Sequence, residues 1–259
     1  MIADLTGQTA VVTGGSKGIG LAIVRALAGS GAHVIAGAKQ SSAELDELAR
    51  TGRVAAVEVD LATPAGPAML VAAAGQRVDI LVNNVGGAPA RPGGFLGITD
   101  QDWLATINLD LMTAIRACRA ALPAMLAAGA GTIVTICSVN ARLPDPAVLD
   151  YSTAKAALAA FSKALSKEVG SRGVRVNTVS PGPVATDLWL GADGVAQTVG
   201  AATGAAPEDV ASAAASQMVT GRFTQPGEVS DLVLFLSSSR AGNITGADFT
   251  IDGGLVPTW

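Results

Sequence analysis

The chain alternates short apolar runs with stretches whose apolar residues recur every three or four positions. Thr9–Thr13 (TAVVT), His33–Gly37 (HVIAG), Val54–Val59, Ile80–Val82, Thr132–Cys137 (TIVTIC), Val174–Val179 and Asp248–Ile251 read as strands. Helical periodicity covers about Gly18–Ala28, Ser41–Arg50, Trp103–Leu126 and Leu149–Val169. Ser41 with Glu44 three residues on is a capping-box signature. Acids at Asp100–Asp102 and Glu208–Asp209 mark two further helix starts, where they complement the dipole. Strands rich in Val and Ile with little polar alternation are covered on both faces, as in a parallel sheet. Alternation of strand and helix through short connections predicts a doubly wound parallel α/β sheet in a single domain, residues 1–259. Residues 186–224 break the pattern: they are rich in Ala and Gly, with a candidate helix only over Pro207–Met218. A stretch of that length in a compact domain predicts a lid or substrate-binding segment.

Composition changes this picture little but excludes several functions. Of 259 residues, 49% are hydrophobic and 15% charged, enough apolar material for one sizeable core. A net charge of −4 provides no basic stripe, so neither nucleic acid nor a membrane surface is an expected partner. The uncharged stretch Ala120–Ala141 is divided by Pro123 and the Gly129–Gly131 break into a helix end and a strand, not a membrane span. Met1-Ile2-Ala3-Asp4 lacks the basic start of a secretory signal. Cys118 and Cys137 are too few for a disulfide framework and have no spaced partner for zinc, so a reducing cytoplasm is expected and no metal. His33, the lone histidine, starts a strand far from the chemistry, and Trp103 is expected to pack its helix onto the core.

Three signals carry chemistry. Thr13-Gly14-Gly15-Ser16-Lys17-Gly18-Ile19-Gly20 joins the first strand to the first helix. Glycines there turn the backbone tightly and let a pyrophosphate reach the free N–H groups of the helix start. The second strand ends Ala36-Gly37-Ala38-Lys39, without the acid that an NAD site sets on the ribose 2′-hydroxyl. Lys39 and Lys17, helped by Ser41 or Ser42, suit a 2′-phosphate, so NADP(H) is the expected cofactor. Finally, Tyr151 and Lys155 lie four apart on a predicted helix and share a face. The ammonium is expected to lower the phenol pKa toward working pH, as a general acid/base requires. Ser138 stands thirteen residues before Tyr151, at the carboxyl edge of the sheet where such folds bind ligands.

In order along the chain, TGGSKGIG at 13–20, Asp60, Asn83-Asn84-Val85-Gly86, Asn108, Ser138, Tyr151-x-x-x-Lys155, Pro181-Gly182 and Asp252-Gly253-Gly254 resemble the short-chain dehydrogenase/reductase family. Val85 departs from the family's usual alanine, a matter of packing. The resemblance implies a Rossmann-like fold and a tetrad. Tyr151 would give its proton to a carbonyl oxygen as hydride arrives, and Ser138 would hydrogen-bond the same oxygen. Lys155 would bind the nicotinamide ribose, and Asn108 would hold a water linking Lys155 to solvent. It also implies Asp60 and Leu61 against adenine, with Asn84 and Gly86 near the adenosine ribose. Pro181, Gly182 and Val184 would flank the nicotinamide, and Thr186 its carboxamide.

For the substrate, Leu143, Leu149, Trp189, Leu190, Val195 and Met218 suggest a mainly apolar ketone or alcohol. A β-ketoacyl thioester reductase meeting an acidic carrier protein through Arg116, Arg119 and Arg142 is the alternative enzyme. A non-catalytic NADP(H)-binding redox sensor is the alternative outside catalysis. The resemblance further implies a homo-oligomer, dimer or tetramer, through the two long helices. Ala114, Ala117 and Ala121 and Ala156, Ala157 and Ala160 would permit close approach there, unless they face the sheet.

Overall fold

A computed structural model describes residues 3–258; Met1 and Ile2, part of the N-terminal reading above, and Trp259 lie outside the described residues. The chain runs β1 (Thr9–Thr13), α1 (Gly18–Gly29), β2 (His33–Ala38), α2 (Ala43–Ala49), β3 (Val54–Glu58), α3 (Gly66–Ala72) and β4 (Ile80–Asn83). It continues through α4 (Asp100–Ile107), a π-helical turn (Asn108–Met112), α5 (Thr113–Ala128), β5 (Gly131–Ile136), α6 (Leu149–Val169) and β6 (Val174–Pro181). Then come α7 (Asp187–Leu190), α8 (Val195–Thr203), α9 (Pro207–Ser216), α10 (Pro226–Ser237) and β7 (Asp248–Ile251).

All seven strands are parallel in the order β3-β2-β1-β4-β5-β6-β7. The order reverses between β1 and β4, which opens a crevice outside their carboxyl ends. Alternate residues of each strand feed two separate cores. Val12, Val34, Val82, Val134 and Val179 meet Ile23, Leu27, Val233 and Leu236 of α1 and α10. Val11, Ile35, Leu81, Ile133 and Val176 meet Leu70, Ala117, Met125 and Leu165 of α3, α5 and α6. Burial on both faces is why the strands read as continuous apolar runs.

Several details depart from the sequence reading. Helices α3 and α10 fill connections in which no helix was expected. The cap of α2 is Ser42, whose Oγ accepts the Leu45 N–H, while the Ser41 hydroxyl donates to Asp46 and Glu44 takes no part. The expected helix Trp103–Leu126 starts earlier, at a Thr99–Asp102 capping box, and is interrupted by the π turn. By length and composition the helical run Asp100–Ala128 is apolar enough to cross a membrane. Its apolar face is nevertheless packed on the sheet through Ala117, Cys118, Ala121 and Met125. Ala114, Ala117 and Ala121 therefore face the core and offer nothing to a partner, whereas Ala156, Ala157 and Ala160 are exposed. His33 is exposed at the start of β2, Trp103 is half-buried, and α9 carries Glu208 and Asp209 in its first turn as the acids imply.

Leu70 shows how tightly α3 is seated: a Cβ on Gly37 of β2 would collide with its methyl groups. Leu70→Ala leaves a hole against the sheet and is expected to destabilise the protein by about 2–5 kcal/mol. Urea unfolding checks this through a lower midpoint at unchanged slope.

Candidate active site

The glycine loop closes over the switch point by backbone contact. A Cβ on Gly20 would overlap the Gly14 carbonyl, and one on Gly14 would lie 3.0 Å from Asn84 Nδ2. Asn84 Nδ2 donates to the Thr13 and Gly14 carbonyls at 3.0 Å each, tying the end of β4 to the end of β1. Lys17 is the exposed N-cap of α1 and its side chain makes no cap. The first N–H groups of α1, beside Ser16, Gly18 and Ile19, therefore have no side-chain cap, which fits an anionic pyrophosphate. Thr186 packs over the loop, its Cγ2 3.3 Å from where a Gly18 Cβ would stand.

At the adenosine end, Lys39 Nζ lies 3.4 Å from Asp60 Oδ2, both side chains open to solvent. Asp60 Oδ1 accepts the Ala62 N–H. Leu61 is 4% exposed and belongs to the core, so its side chain cannot meet adenine; only its backbone can. Parallel pairing also brings Glu58 beside Ala38, and its carboxylate accepts the Ser41 N–H. The sequence shows no acid along β2, but the neighbouring strand supplies one. Ser42 Oγ donates to the Ser16 carbonyl, so it braces the glycine loop.

A cavity of about 690 Å³ opens at the carboxyl edge. It joins Ile19, Asn84, Gly86, Pro181, Gly182, Val184 and Thr186 to Ser138, Tyr151 and Lys155. Ser138 lies two residues past the end of β5, and its Oγ accepts the Asn140 N–H at 3.2 Å. Lys155 is buried beneath Tyr151, with Nζ 5.5 Å from the ring centre and donating to the Ile136 carbonyl at 3.2 Å. Asn108 does not join this group directly. Its Nδ2 donates to the Ala62 carbonyl and its Oδ1 accepts from Arg116. The group against Lys155 is Asp110, with no exposed side-chain area and Oδ1 3.6 Å from Nζ. Nothing in the sequence pattern marked Asp110; only the π turn reveals that it points inward.

Tyr151 itself is held by a buried clamp. Arg91 donates to Asp150 Oδ2 through Nη2 at 2.5 Å and Nε at 3.2 Å, and to Asp102 through Nη1 at 3.1 Å. Thr106 Oγ1 donates to the same Asp150 oxygen, and the Arg91 N–H donates to the Ala147 carbonyl. The start of α6 is thereby fastened to the 86–94 loop and to α4.

The electrostatics correct one expectation. Burial pushes the Tyr151 phenol up, Lys155 opposes this, and the Asp110 carboxylate adds to the rise. The phenol stands above its ordinary value, not below it. Burial tends to lower the Lys155 ammonium, but Tyr151, Asp110 and Cys137 outweigh that and hold it above its usual value. Burial raises Asp110 to about 6 despite Lys155. Cys118, buried beside Asn83, is pushed up to about 12, so that thiol is inert at neutral pH.

The far walls come from 139–148 and from the 186–224 excursion. Leu143, Trp189 and Val195 line the cavity as expected, together with Leu188, Val199, Val210 and Gln217. Leu190 is turned outward, Met218 is packed beneath the wall, and Leu149 is half-buried outside the lining. The excursion leaves and returns at one place, where Ala185 N–H donates to the Thr224 carbonyl and Thr224 N–H to that of Pro183. Trp189 stacks edge-on against Phe223 at 5.3 Å. Among the described residues, no group of His, Cys, Asp and Glu could hold a metal ion.

A parallel sheet with a dinucleotide-type glycine loop, opening beside a Ser–Tyr–Lys constellation, defines a nucleotide-dependent oxidoreductase of the doubly wound class. The sequence profile of the short chain dehydrogenases matches residues 8–193, and the chain belongs to that family. It is 35% identical to a 3-oxoacyl-[acyl-carrier-protein] reductase of Synechocystis, over 97% of this chain and 98% of the relative. It is 37% identical to a D-threitol dehydrogenase of Mycolicibacterium smegmatis, over 96% and 93% respectively. Among solved structures, the L-sorbose reductase of Gluconobacter frateurii, complexed with NADPH and L-sorbose, superposes with a TM-score of 0.90 at 34% identity, each chain fully covered.

The clamp yields a test. Burial raises the Asp150 carboxyl, but the hydrogen bonds from Arg91 and Thr106 and the Arg91 charge hold it below the ordinary aspartate range. A depressed carboxyl contributes stability above its unfolded pKa and loses it as pH falls through the folded value. Arg91→Gln is therefore expected to destabilise near neutral pH, with the gap from wild type closing in acid. Urea unfolding at a series of pH values measures the gap.

Proposed function

We propose that the chain is an NADP(H)-dependent oxidoreductase that interconverts a neutral, largely apolar ketone and its secondary alcohol. The observation that carries this reading is the convergence of Ser138, Tyr151 and Lys155 with the glycine-loop residues on one cavity. Bound NADP(H) supplies or accepts the hydride. In reduction, the Tyr151 phenol donates its proton to the carbonyl oxygen as negative charge develops there, and Ser138 Oγ donates a hydrogen bond to the same oxygen. In oxidation, the Tyr151 oxygen takes the proton back. Lys155 fixes a positive charge beneath the phenol and holds the nicotinamide ribose; Asn108, whose amide is taken up by Ala62 and Arg116, is given no part in the relay. Lys39 and Lys17 meet the 2′-phosphate.

The neutral substrate class is supported by the cavity lining, where Lys155 is the sole basic side chain among the described residues and already faces Asp110. The wall segment 186–224 acts as the substrate lid. A cytoplasmic setting is supported by the two free, buried thiols. Self-association is supported by the exposed apolar side chains of Phe95, Leu96 and Leu104. The second enzyme reading, reduction of a β-ketoacyl thioester on a carrier protein, is favoured by the Synechocystis relative. Arg142, however, is paired with Asp248 at 3.0 Å and Arg116 with Asn108, which leaves Arg119 as the freest of the three arginines for an acidic partner.

NADPH binding to the purified protein, followed by NADPH oxidation over neutral ketones, sugar ketoses and a β-ketoacyl thioester, tests the reading. Turnover with an apolar ketone is expected, and tight binding without any turnover would move the weight to a redox sensor. Tyr151→Phe should cut turnover by about 10²-fold or more and leave NADPH affinity near wild type. Lys39→Asp should shift preference from NADP toward NAD, read as the ratio of kcat/KM for the two cofactors. An unchanged ratio would assign the 2′-phosphate to Lys17.

A further inference from the structure

The floor of the cavity is built around an ion pair. Lys155 Nζ donates to the Ile136 carbonyl on one side and stands 3.6 Å from Asp110 Oδ1 on another. Asp110 is fixed in turn, because both carboxylate oxygens face the Gly87 N–H, at 3.2 and 3.5 Å. The π turn at Asn108–Met112 directs the carboxylate inward, and Gly86 makes room for it. A Cβ on Gly86 would stand 2.5 Å from Asp110 Oδ1 and 3.2 Å from Lys155 Nζ.

We propose that Asp110 is a positioning residue for the reaction: it fixes the Lys155 ammonium beneath Tyr151 and, by offsetting that charge, sets the pH at which the phenol exchanges its proton. Among the described residues, four further titratable groups act on this cluster. Tyr151 and Asp150 come from α6, Cys137 follows β5, and Asp248 of β7 acts on Cys137 from farther off. Asp150 is neutralised by Arg91 and Asp248 by Arg142. Asp110 is therefore the carboxylate whose charge is spent on Lys155 itself. A cation beside a phenol favours phenolate, and an anion close to that cation cancels much of the effect. The direction agrees with the Asp110 contribution to Tyr151, which is upward.

The inference rests on Tyr151 as the proton-exchanging group of the proposed reaction, but its test does not need the substrate. Tyr151 is the only tyrosine, so phenolate absorbance of the whole protein with NADP+ bound reports that one group. Asp110→Asn and Asp110→Ser are expected to move the phenolate midpoint to lower pH. With an alcohol substrate, the acidic limb of kcat/KM for oxidation should move the same way, giving several-fold more of the plateau rate on that limb. NADPH affinity and melting temperature serve as controls for folding. Gly86→Ala keeps the carboxylate but displaces it from Lys155, and its midpoint should also fall. A folded Asp110 variant with the wild-type midpoint overturns the proposal. If neither Asp110 variant folds, an unmoved midpoint in Gly86→Ala overturns it. Absence of turnover on every ketone would count against the proposed function alone, because the phenolate titration would still respond.

Discussion

Lys155 is 3% exposed, and an ammonium taken that far from water has to be met on every side by acceptors or by opposite charge. The fold meets it with two elements that are distant in sequence. The last carbonyl of β5, at Ile136, accepts one N–H, and the Asp110 carboxylate supplies the charge. Each has its own structural requirement. Asp110 reaches inward only because the helix between α4 and α5 widens to a π turn, the sort of irregularity that concentrates at functional sites. It fits only because residue 86 has no side chain. The motif Asn83-Asn84-Val85-Gly86 thus does two separate jobs: Asn84 ties β4 to the glycine loop, and Gly86 leaves space for an ion pair.

The same logic extends along α6. Its first turn carries Tyr151 and Asp150, the latter completely buried and answered by Arg91 and Thr106; its second carries Lys155. Two buried carboxylates and two basic groups alternate through this region, each negative group paired with a positive one. Such a network makes a poor stabiliser compared with a well-packed apolar core, because desolvation consumes much of the attraction. Its value lies in fixing geometry. The 86–94 loop, α4, the π turn and the start of α6 cannot shift relative to one another without uncovering a buried charge. The phenol therefore sits on a framework held by electrostatics; burial raises its pKa, and on top of that Lys155 and Asp110 pull in opposite directions.

The parallel sheet was legible in the sequence because burial on both faces writes strands as unbroken apolar runs, as in TAVVT and TIVTIC. Motifs at the carboxyl ends of those strands could be placed for the same reason. Elements whose signal depends on neighbours were not legible. Helix α3 is short, and α10 sets apolar Leu232, Leu234 and Phe235 beside its Val229–Val233–Leu236 stripe, which blurs its periodic face. The cap of α2 moved by one residue because Ser41 and Ser42 carry the same chemistry, and tertiary contact with Ser16 decided between them. Asp110 was hidden for a deeper reason. An acid two residues past Asn108 looks like a solvated helix face until the backbone widens and turns it inward. The sign of the Tyr151 shift followed from that omission, since the sequence displays the lysine that lowers the phenol but neither the burial nor the carboxylate that raise it. Glu58, beside the end of β2, became visible only through strand register.

The cavity divides its labour by physical character. Its floor is polar, charged and anchored on strand ends and α6; its far walls are apolar and come from 139–148 and 186–224. Floor residues are fixed by ion pairs and backbone contacts, so changing one disturbs several others. Wall residues such as Leu188, Val199 and Val210 are held mainly by packing, which tolerates exchange of apolar side chains at modest cost. The excursion that carries them is pinned at its two ends by the 183–185 pairing with Thr224 and internally by Trp189 on Phe223. A wall built this way can change shape while the proton-transfer geometry beneath it stays constant. On the proposed function, walls of this kind let one backbone serve different substrates: the L-sorbose reductase superposes with a TM-score of 0.90 at 34% identity, while this cavity presents a mostly aliphatic surface. On that reading, substrate choice lies with the walls rather than with the floor.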